Sequence, residues 1–252
     1  MSLPVHVGAL GLWTPGFGDA AAWLQGLADP ALTTPAATLL PAAVRRRPTL
    51  LTRAAVEVFG QVAAGVEAST IPSVFGSAWG ETSALQELLD QMHGPDGALS
   101  PIRFSGSVHN TASGQVSIAT ANRGWTTSLA AGTDTVAMGL LECLGVLAGG
   151  ASEIIAVFAD IDPPSPLADG SGHCTPLAVA LHLHRGLPER KTLAILSELG
   201  FSSADPLPPC LPEGLRDSPC GGALALCDAV LRGRSGLIQL GAWTIHCQTE
   251  AP

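Results

Sequence analysis

A chain of 252 residues, 46% hydrophobic and 13% charged, is long and apolar enough to enclose one sizeable core, and residues 1–252 read as a single domain. Twelve Lys and Arg stand against 21 Asp and Glu, a formal net charge of -9. A surface of that sign repels phosphate backbones and anionic headgroups, which argues against nucleic acid and lipid surfaces as partners.

The amino end, Met1-Ser-Leu-Pro-Val-His-Val, carries neither the basic cluster nor the long apolar run of a secretory signal. Residues 5–12 read as a strand. A Gly/Pro-rich loop follows, and then Asp19-Ala-Ala-Ala-Trp-Leu-Gln-Gly-Leu, where Asp19 suits a helix N-cap and Trp23 and Leu27 share one face. Residues 28–48 are punctuated by proline and read as loop. Within them Arg45-Arg46-Arg47 reads as a solvated run, the alternative being a contact with an acidic partner surface.

Residues 50–66 read as helix, 72–78 as a buried strand and 81–93 as helix, with Glu81 as a first-turn carboxylate. A turn-rich stretch over 94–107 precedes a small-residue helix over 111–121 and a strand over 125–131. Gly132-Thr133-Asp134 is a turn into a helix over 135–148, and 154–159 is the next strand. A Pro-rich loop over 162–176 leads to strands over 177–183 and 192–199, a helix over 224–231 and a final strand near 237–245. Strands alternating with helices argue for an α/β layered fold.

The most apolar region, 129–161, is interrupted by Asp134, Glu142 and Glu153 and falls short of the ~20 apolar residues of a membrane span. A cytoplasmic protein is expected. The six cysteines (Cys143, Cys174, Cys210, Cys220, Cys227, Cys247) form no CxxC and read as buried thiols acting as small hydrophobes. No glycine pattern matches a dinucleotide fingerprint or a P-loop, so no cofactor is expected.

The helix over 135–148 is the most informative element. Val136, Met138, Leu140, Leu141, Cys143, Leu144, Val146 and Leu147 do not keep to one face, and a helix apolar all round is buried all round. It should lie between two protein layers, both from this chain or one from a partner.

A strand, a glycine turn and a buried helix present the nucleophile in thiolase-fold condensing enzymes. Val5-His-Val-Gly-Ala-Leu-Gly-Leu-Trp-Thr-Pro-Gly-Phe-Gly with Trp23-Leu-Gln-Gly-Leu27 resembles the opening of β-ketoacyl synthases. Asn110-Thr-Ala-Ser-Gly114, Arg123-Gly124, Ser128-Leu129 and Gly150-Ala-Ser-Glu153 follow the ketosynthase order and spacing without a gap. Ser107-Val-His-Asn-Thr-Ala-Ser-Gly114 and Thr127-Ser-Leu-Ala-Ala-Gly132, with Gly139-Leu-Leu-Glu142, resemble the short ketosynthase-like proteins of aryl polyene clusters. The resemblance implies a thiolase-like fold, the β-ketoacyl synthase N-terminal half, with a layered mixed sheet and a buried central helix.

On that frame the nucleophilic cysteine falls on Thr133, or on Gly132 or Ala131 if shifted by one or two residues, and none is a thiol. A condensing enzyme needs a thiolate at the positive end of a helix. The family also carries two histidines in its C-terminal half, and the sequence reaches Pro252 about where that half would begin, so both parts are expected to be missing. Cys143 lies ten residues beyond Thr133, roughly 15 Å along a helix, and cannot stand in. Thr133 itself would need an adjacent base; a turn hydroxyl or a pocket-lining residue is the plainer reading.

His109, beside Asn110, is a satisfied histidine at a helix start or a contact to a partner or acyl tunnel. His182 and His184 alternate on a strand and share a face. Together with His173 and Cys174 they offer a metal set, but without CxxC or HxxxH spacing no metal is expected.

In ketosynthases the strand before the nucleophile pairs across the dimer two-fold, and its counterpart is 125–131. With half a thiolase fold around the buried helix, a large apolar surface would remain for something to cover. The model the resemblance offers is a chain length factor, a subunit that pairs with an active β-ketoacyl synthase, or with itself, and meets acyl carrier protein through that complex. Interface or tunnel candidates are His109, Asn110, Trp125, Ser128, Gly132, Thr133 and Met138. Two other readings are a free-standing acyltransferase or thioester hydrolase using Thr133 or Ser128, and a self-associating remnant.

Overall fold

Residues Val5–Trp13 form the first strand, β1, with Val5, Val7, Leu12 and Trp13 buried. It lies in a computed structural model that describes residues 4–94, 97–165, 167 and 174–249. Helix α1 (Ala20–Gln25) follows, and the Asp19 side chain accepts the N–H of Ala22, the cap its sequence suggested. Gly26, at φ 67, stops the helix, because only glycine takes that left-handed conformation freely. Trp23 is therefore buried, but Leu27 falls beyond the helix and is 64% exposed, which corrects the shared face expected for the pair.

The next elements are α2 (Leu50–Ala63), capped by Thr49, β2 (Ser73–Gly76), α3 (Thr82–Met92) and α4 (Pro101–Ser105). The short α4 sits inside the stretch read as turns; Ser100 caps it and Pro101 opens it, a start signal that lies in two residues. Then come α5 (Thr111–Thr120), β3 (Thr126–Leu129), a single 3₁₀ turn at Gly132–Asp134, α6 (Thr135–Ala148) and β4 (Glu153–Asp160). The chain continues through β5 (Leu177–His184), β6 (Ala194–Gly200), α7 (Glu213–Arg216), α8 (Gly221–Leu231), β7 (Gly236–Leu240) and β8 (Trp243–Thr249).

All eight strands form one mixed sheet in the order β3-β2-β4-β5-β1-β6-β8-β7. The β3-β2-β4 portion is parallel and the remaining pairs are antiparallel. Every residue of β5 and seven of the eight in β4 are buried, as strands covered on both faces must be. One face carries α2 and α5 over Val56, Phe59, Phe75 and Val157. The other carries α1, α6 and α8 over Val74, Phe158, Val179 and Leu181.

The expected final strand is a hairpin. Leu240 pairs with Trp243, leaving Gly241-Ala242 as a two-residue turn with Gly241 at φ 67, the positive-φ geometry such turns require. Helix α8 packs against β5, β7, β8 and α1. Strands β5 and β7 stand four places apart, roughly 19 Å if the sheet were flat, against a helix diameter of about 10 Å. An 11-residue helix is about 16 Å long, enough to reach across these strands, and the residues of α8 from Ala223 to Val230 are buried except Ala225.

Helix α6 is enclosed less completely than its composition suggested. Val136, Leu140, Cys143, Leu144 and Leu147 are buried, while Met138, Leu141 and Val146 are half-buried and Glu142, Gly145 and Ala148 are exposed. No helix among the described residues is long and apolar enough to cross a membrane.

Candidate functional site

The link between β3 and α6 is held by one hydroxyl. Thr135 Oγ1 donates to the Gly132 carbonyl at 2.7 Å and accepts the Ala131 N–H at 3.0 Å, while Gly132 takes φ 57. This leaves Thr133 exposed at the tip of the turn, on the rim of a cleft of about 270 Å³ that Arg216, Asp217, Ser218, Gly221 and Gln239 also line. The described residues lining the cleft include neither histidine nor cysteine. The hairpin tip closes one side: Asp134 Oδ1 accepts the Ala242 N–H at 2.7 Å.

Among the described residues strand β3 is the sheet's edge, paired only with β2. Trp125, just before it, is 45% exposed, and its carbonyl accepts the Ser73 N–H at 2.9 Å. Ser128 is occupied: its Oγ lies 3.0 Å from Ser113 Oγ, tying β3 to α5. Large apolar side chains are open on the adjoining helices, Ile102 at 74%, Phe104 at 59% and Ile118 at 78% exposure. Ile102 and Ile118 line a second cleft of about 540 Å³ together with Arg47 and Arg103. Met138 packs half-buried against the core under α6.

His109 and Asn110 open α5, both exposed. His109 Nε2 lies 2.9 Å from the Ser77 carbonyl, which it serves as donor, and its ring borders an apolar slot formed by Leu51, Ala55, Phe75 and Ala112. Gly80 is required beneath it, since a Cβ there would stand 2.7 Å from His109 Cδ2. The Asn110 side chain makes no cap bond; its carbonyl accepts from Ser113 Oγ at 2.9 Å.

Two buried carboxyls flank this loop, and sequence reasoning missed both roles. Asp160, at the end of β4, accepts from Ser77 Oγ at 2.7 Å, the N–H groups of Ala78 and Trp79, and Cys220 Sγ at 3.0 Å. Burial pushes its carboxyl above the ordinary range against those donors. Glu81 does not serve its own helix; it turns back to α2 and accepts from Thr49 Oγ1 at 2.6 Å and Thr52 Oγ1 at 2.5 Å. Burial raises it as well, opposed by the two hydroxyls and nearby His109. The only signal was a Glu placed 29 and 32 residues from two helix-start threonines, which no short motif encodes.

Five cysteines are buried, and desolvation pushes Cys174 and Cys227 up to about 12 and Cys247 to about 11. Cys210 is exposed, a correction to the buried-thiol reading. His182 and His184 do share a face, their rings stacked with centroids 5.7 Å apart. His173 lies outside the described residues, and no cluster among the described ones could hold a metal.

A family model for the β-ketoacyl synthase N-terminal domain matches residues 21–209. Among solved structures, the chain resembles the complex of the ketosynthase ApeO with its chain length factor ApeC from Xenorhabdus doucetiae. That match has a TM-score of 0.74 and 21% identity and covers 97% of this chain and 99% of that one. The ishigamide ketosynthase/chain length factor matches at TM-score 0.65 and 17% identity, over 79% of this chain and 66% of that one. The AntDE:AntF complex, a type II acyl carrier protein with its ketosynthase bound to the hexaketide, matches at 0.61 and 14%, over 80% and 70%. No curated protein matches. The family match spans most of the chain and the sheet carries the same fold, so the chain belongs to the β-ketoacyl synthase N-terminal domain family.

Proposed function

We propose that this chain is a chain-length-factor-type subunit, a cytoplasmic partner of an active β-ketoacyl synthase that helps shape the acyl tunnel during aryl polyene chain elongation. The observation that carries the reading is the edge strand β3, paired among the described residues with β2 alone and leading into an exposed turn at Thr133, which on this reading stands where the family's enzymes carry their thiol. An alcohol before a helix, beside a cleft whose described lining includes no histidine, has among the described lining residues no imidazole to serve as the base that acyl transfer from a carrier thioester requires. Beside that edge, the open side chains of Ile102, Phe104 and Ile118 form the kind of apolar surface a partner covers. The similar solved structures of ketosynthase–chain length factor and ketosynthase–carrier complexes support the same choice of partners.

Co-expression with the ketosynthase and acyl carrier protein of the same gene cluster tests it. A stable complex is expected, lost in Ile118→Glu, with product chain length changed when the subunit is omitted. No complex and unchanged products would overturn it. A second reading, an acyltransferase or hydrolase, draws on the exposure of Thr133 at its cleft. It requires an acyl adduct by intact mass that disappears in Thr133→Ala.

A further inference from the structure

Away from this site, three imidazoles stack across β1 and β5. His6 and His184 have ring centroids 5.3 Å apart, and His184 and His182 5.7 Å, each pair inclined by 27°. The strand period puts residues 182 and 184 on one face, and the register places His6 opposite His184. Gly8 makes the room: a Cβ there would stand 2.6 Å from His182 Nδ1 and 3.2 Å from His184 Cδ2. His182 and His184 are 3% and 0% exposed.

All three rings hold the β5–β6 connection, residues 185–193. His6 Nδ1 lies 3.1 Å from Thr192 Oγ1. His182 Nε2 lies 2.9 Å from the Glu153 carboxylate, which also binds Arg190 at 3.0 Å. His184 Nδ1 accepts the Leu187 N–H at 3.0 Å, and its Nε2 lies 3.2 Å from the Lys191 carbonyl. An amide only donates and a carbonyl only accepts, so these partners fix His184 as the neutral Nε2–H tautomer. A proton on Nδ1 would set N–H against N–H.

The charged and titratable groups facing His184 are His6 from β1, Glu153 from β4, His182 from its own strand, and Arg190 from the connection, to which Lys191 adds its backbone carbonyl. His6 and Arg190 oppose a positive charge there. Glu153 favours one but is already bound by His182 and Arg190.

We propose that residues 185–193 are a proton-sensitive latch, closed over a cleft of about 180 Å³ bordered by Gly8, Gly65, His182 and Arg190, and released when His184 is protonated at Nδ1. Burial, the largest influence on both, holds His182 and His184 below the usual imidazole range. The closed form therefore binds its proton later than the open one. Closure is fully favoured above about pH 6.5 and weakens as pH falls below that value.

Amide hydrogen exchange by NMR, corrected for intrinsic rates, reads the latch at Leu187 and the core at Leu181. The same samples report the ring-nitrogen shifts of His184. Protection at Leu187 is expected to fall by up to about tenfold per pH unit below about pH 6.5 while Leu181 holds, and His184 is expected to show the Nε2–H tautomer at neutral pH. In His184→Gln, which keeps a donor and an acceptor but takes no proton, the fall at Leu187 should be shallower, since His182 is left to take a proton. Flat protection in the native chain, an equal fall in His184→Gln, or an Nδ1–H tautomer would each overturn the latch. The tautomer reading does so without any variant.

Discussion

Asp134 accepts the backbone N–H of Ala242 at 2.7 Å and so fastens the tip of the β7–β8 hairpin to the turn that carries Thr133. The two residues are 108 apart in sequence. Gly241 makes the approach possible, because a Cβ there would stand 2.3 Å from Asp134 Oδ1 and 2.4 Å from the Thr133 carbonyl oxygen. The turn at residues 132–134 is thus a docking point for a hairpin.

Gly241→Ala should therefore be costly. Its φ of 67 and the contact with backbone together make a loss of about 1–3 kcal/mol the expected result. That corresponds to roughly 2–12 °C in Tm for a chain of this size. Circular dichroism melting measures it, and an unchanged Tm would mean that the hairpin tip moves freely off the turn.

Thr133→Cys, made in a Cys210→Ser background to remove the one exposed native thiol, places a sulfur where the proposed function puts the missing nucleophile. Alkylation by iodoacetamide is expected, since residue 133 is exposed. Condensation is not: the described residues lining the cleft include no histidine to activate a thiol or handle an extender carboxylate. Carbon dioxide release from a malonyl carrier thioester, assayed with the variant alone, checks it.

The strand, glycine turn and helix over 125–148 were legible in the sequence because their signals are local: a β-rich run, a Gly, then helical apolar residues. The same applies to the Asp19 cap and to the shared face of His182 and His184. The enclosure of α8 was not legible, because it depends on β5, β7, β8 and α1, elements distant in sequence, all packing on one helix. Apolarity alone marked α6 as the enclosed helix, and its Met138 and Leu141 proved half-buried. Glu81 was misread for a related reason, since its partners Thr49 and Thr52 belong to a different helix.

Asp228 in α8 is 1% exposed and carries three partners: Trp23 Nε1 at 2.9 Å, Arg232 at 2.8 Å and Arg234 at 2.7 Å. Removing the carboxylate strands two guanidinium groups and an indole N–H, so Asp228→Ala should cost about 3–5 kcal/mol. Trp23→Phe removes one hydrogen bond to a charged group and should cost about 1.5–3 kcal/mol. Urea unfolding ranks them, and equal losses would show that the indole, not the ion pairs, anchors α1 to α8.

Glu81 and His184 should pull the pH profile of stability in opposite directions. Burial raises the Glu81 carboxyl above its unfolded value, so the native state holds that proton more tightly. Its contribution is fully present below the unfolded pKa and is lost as pH rises through the folded one. Burial lowers His184, so its contribution is present above about pH 6.5 and lost on acidification. Glu81→Gln keeps an acceptor and a donor for the two threonine hydroxyls and abolishes the first effect. The variant should be more stable than the native chain at neutral pH, and its advantage should shrink as the pH approaches 5, because the native Glu81 regains its contribution on acidification while the glutamine takes no proton. Urea midpoints between about pH 7.5 and 5 test both signs at once: parallel profiles would mean that Glu81 takes up no extra proton on folding.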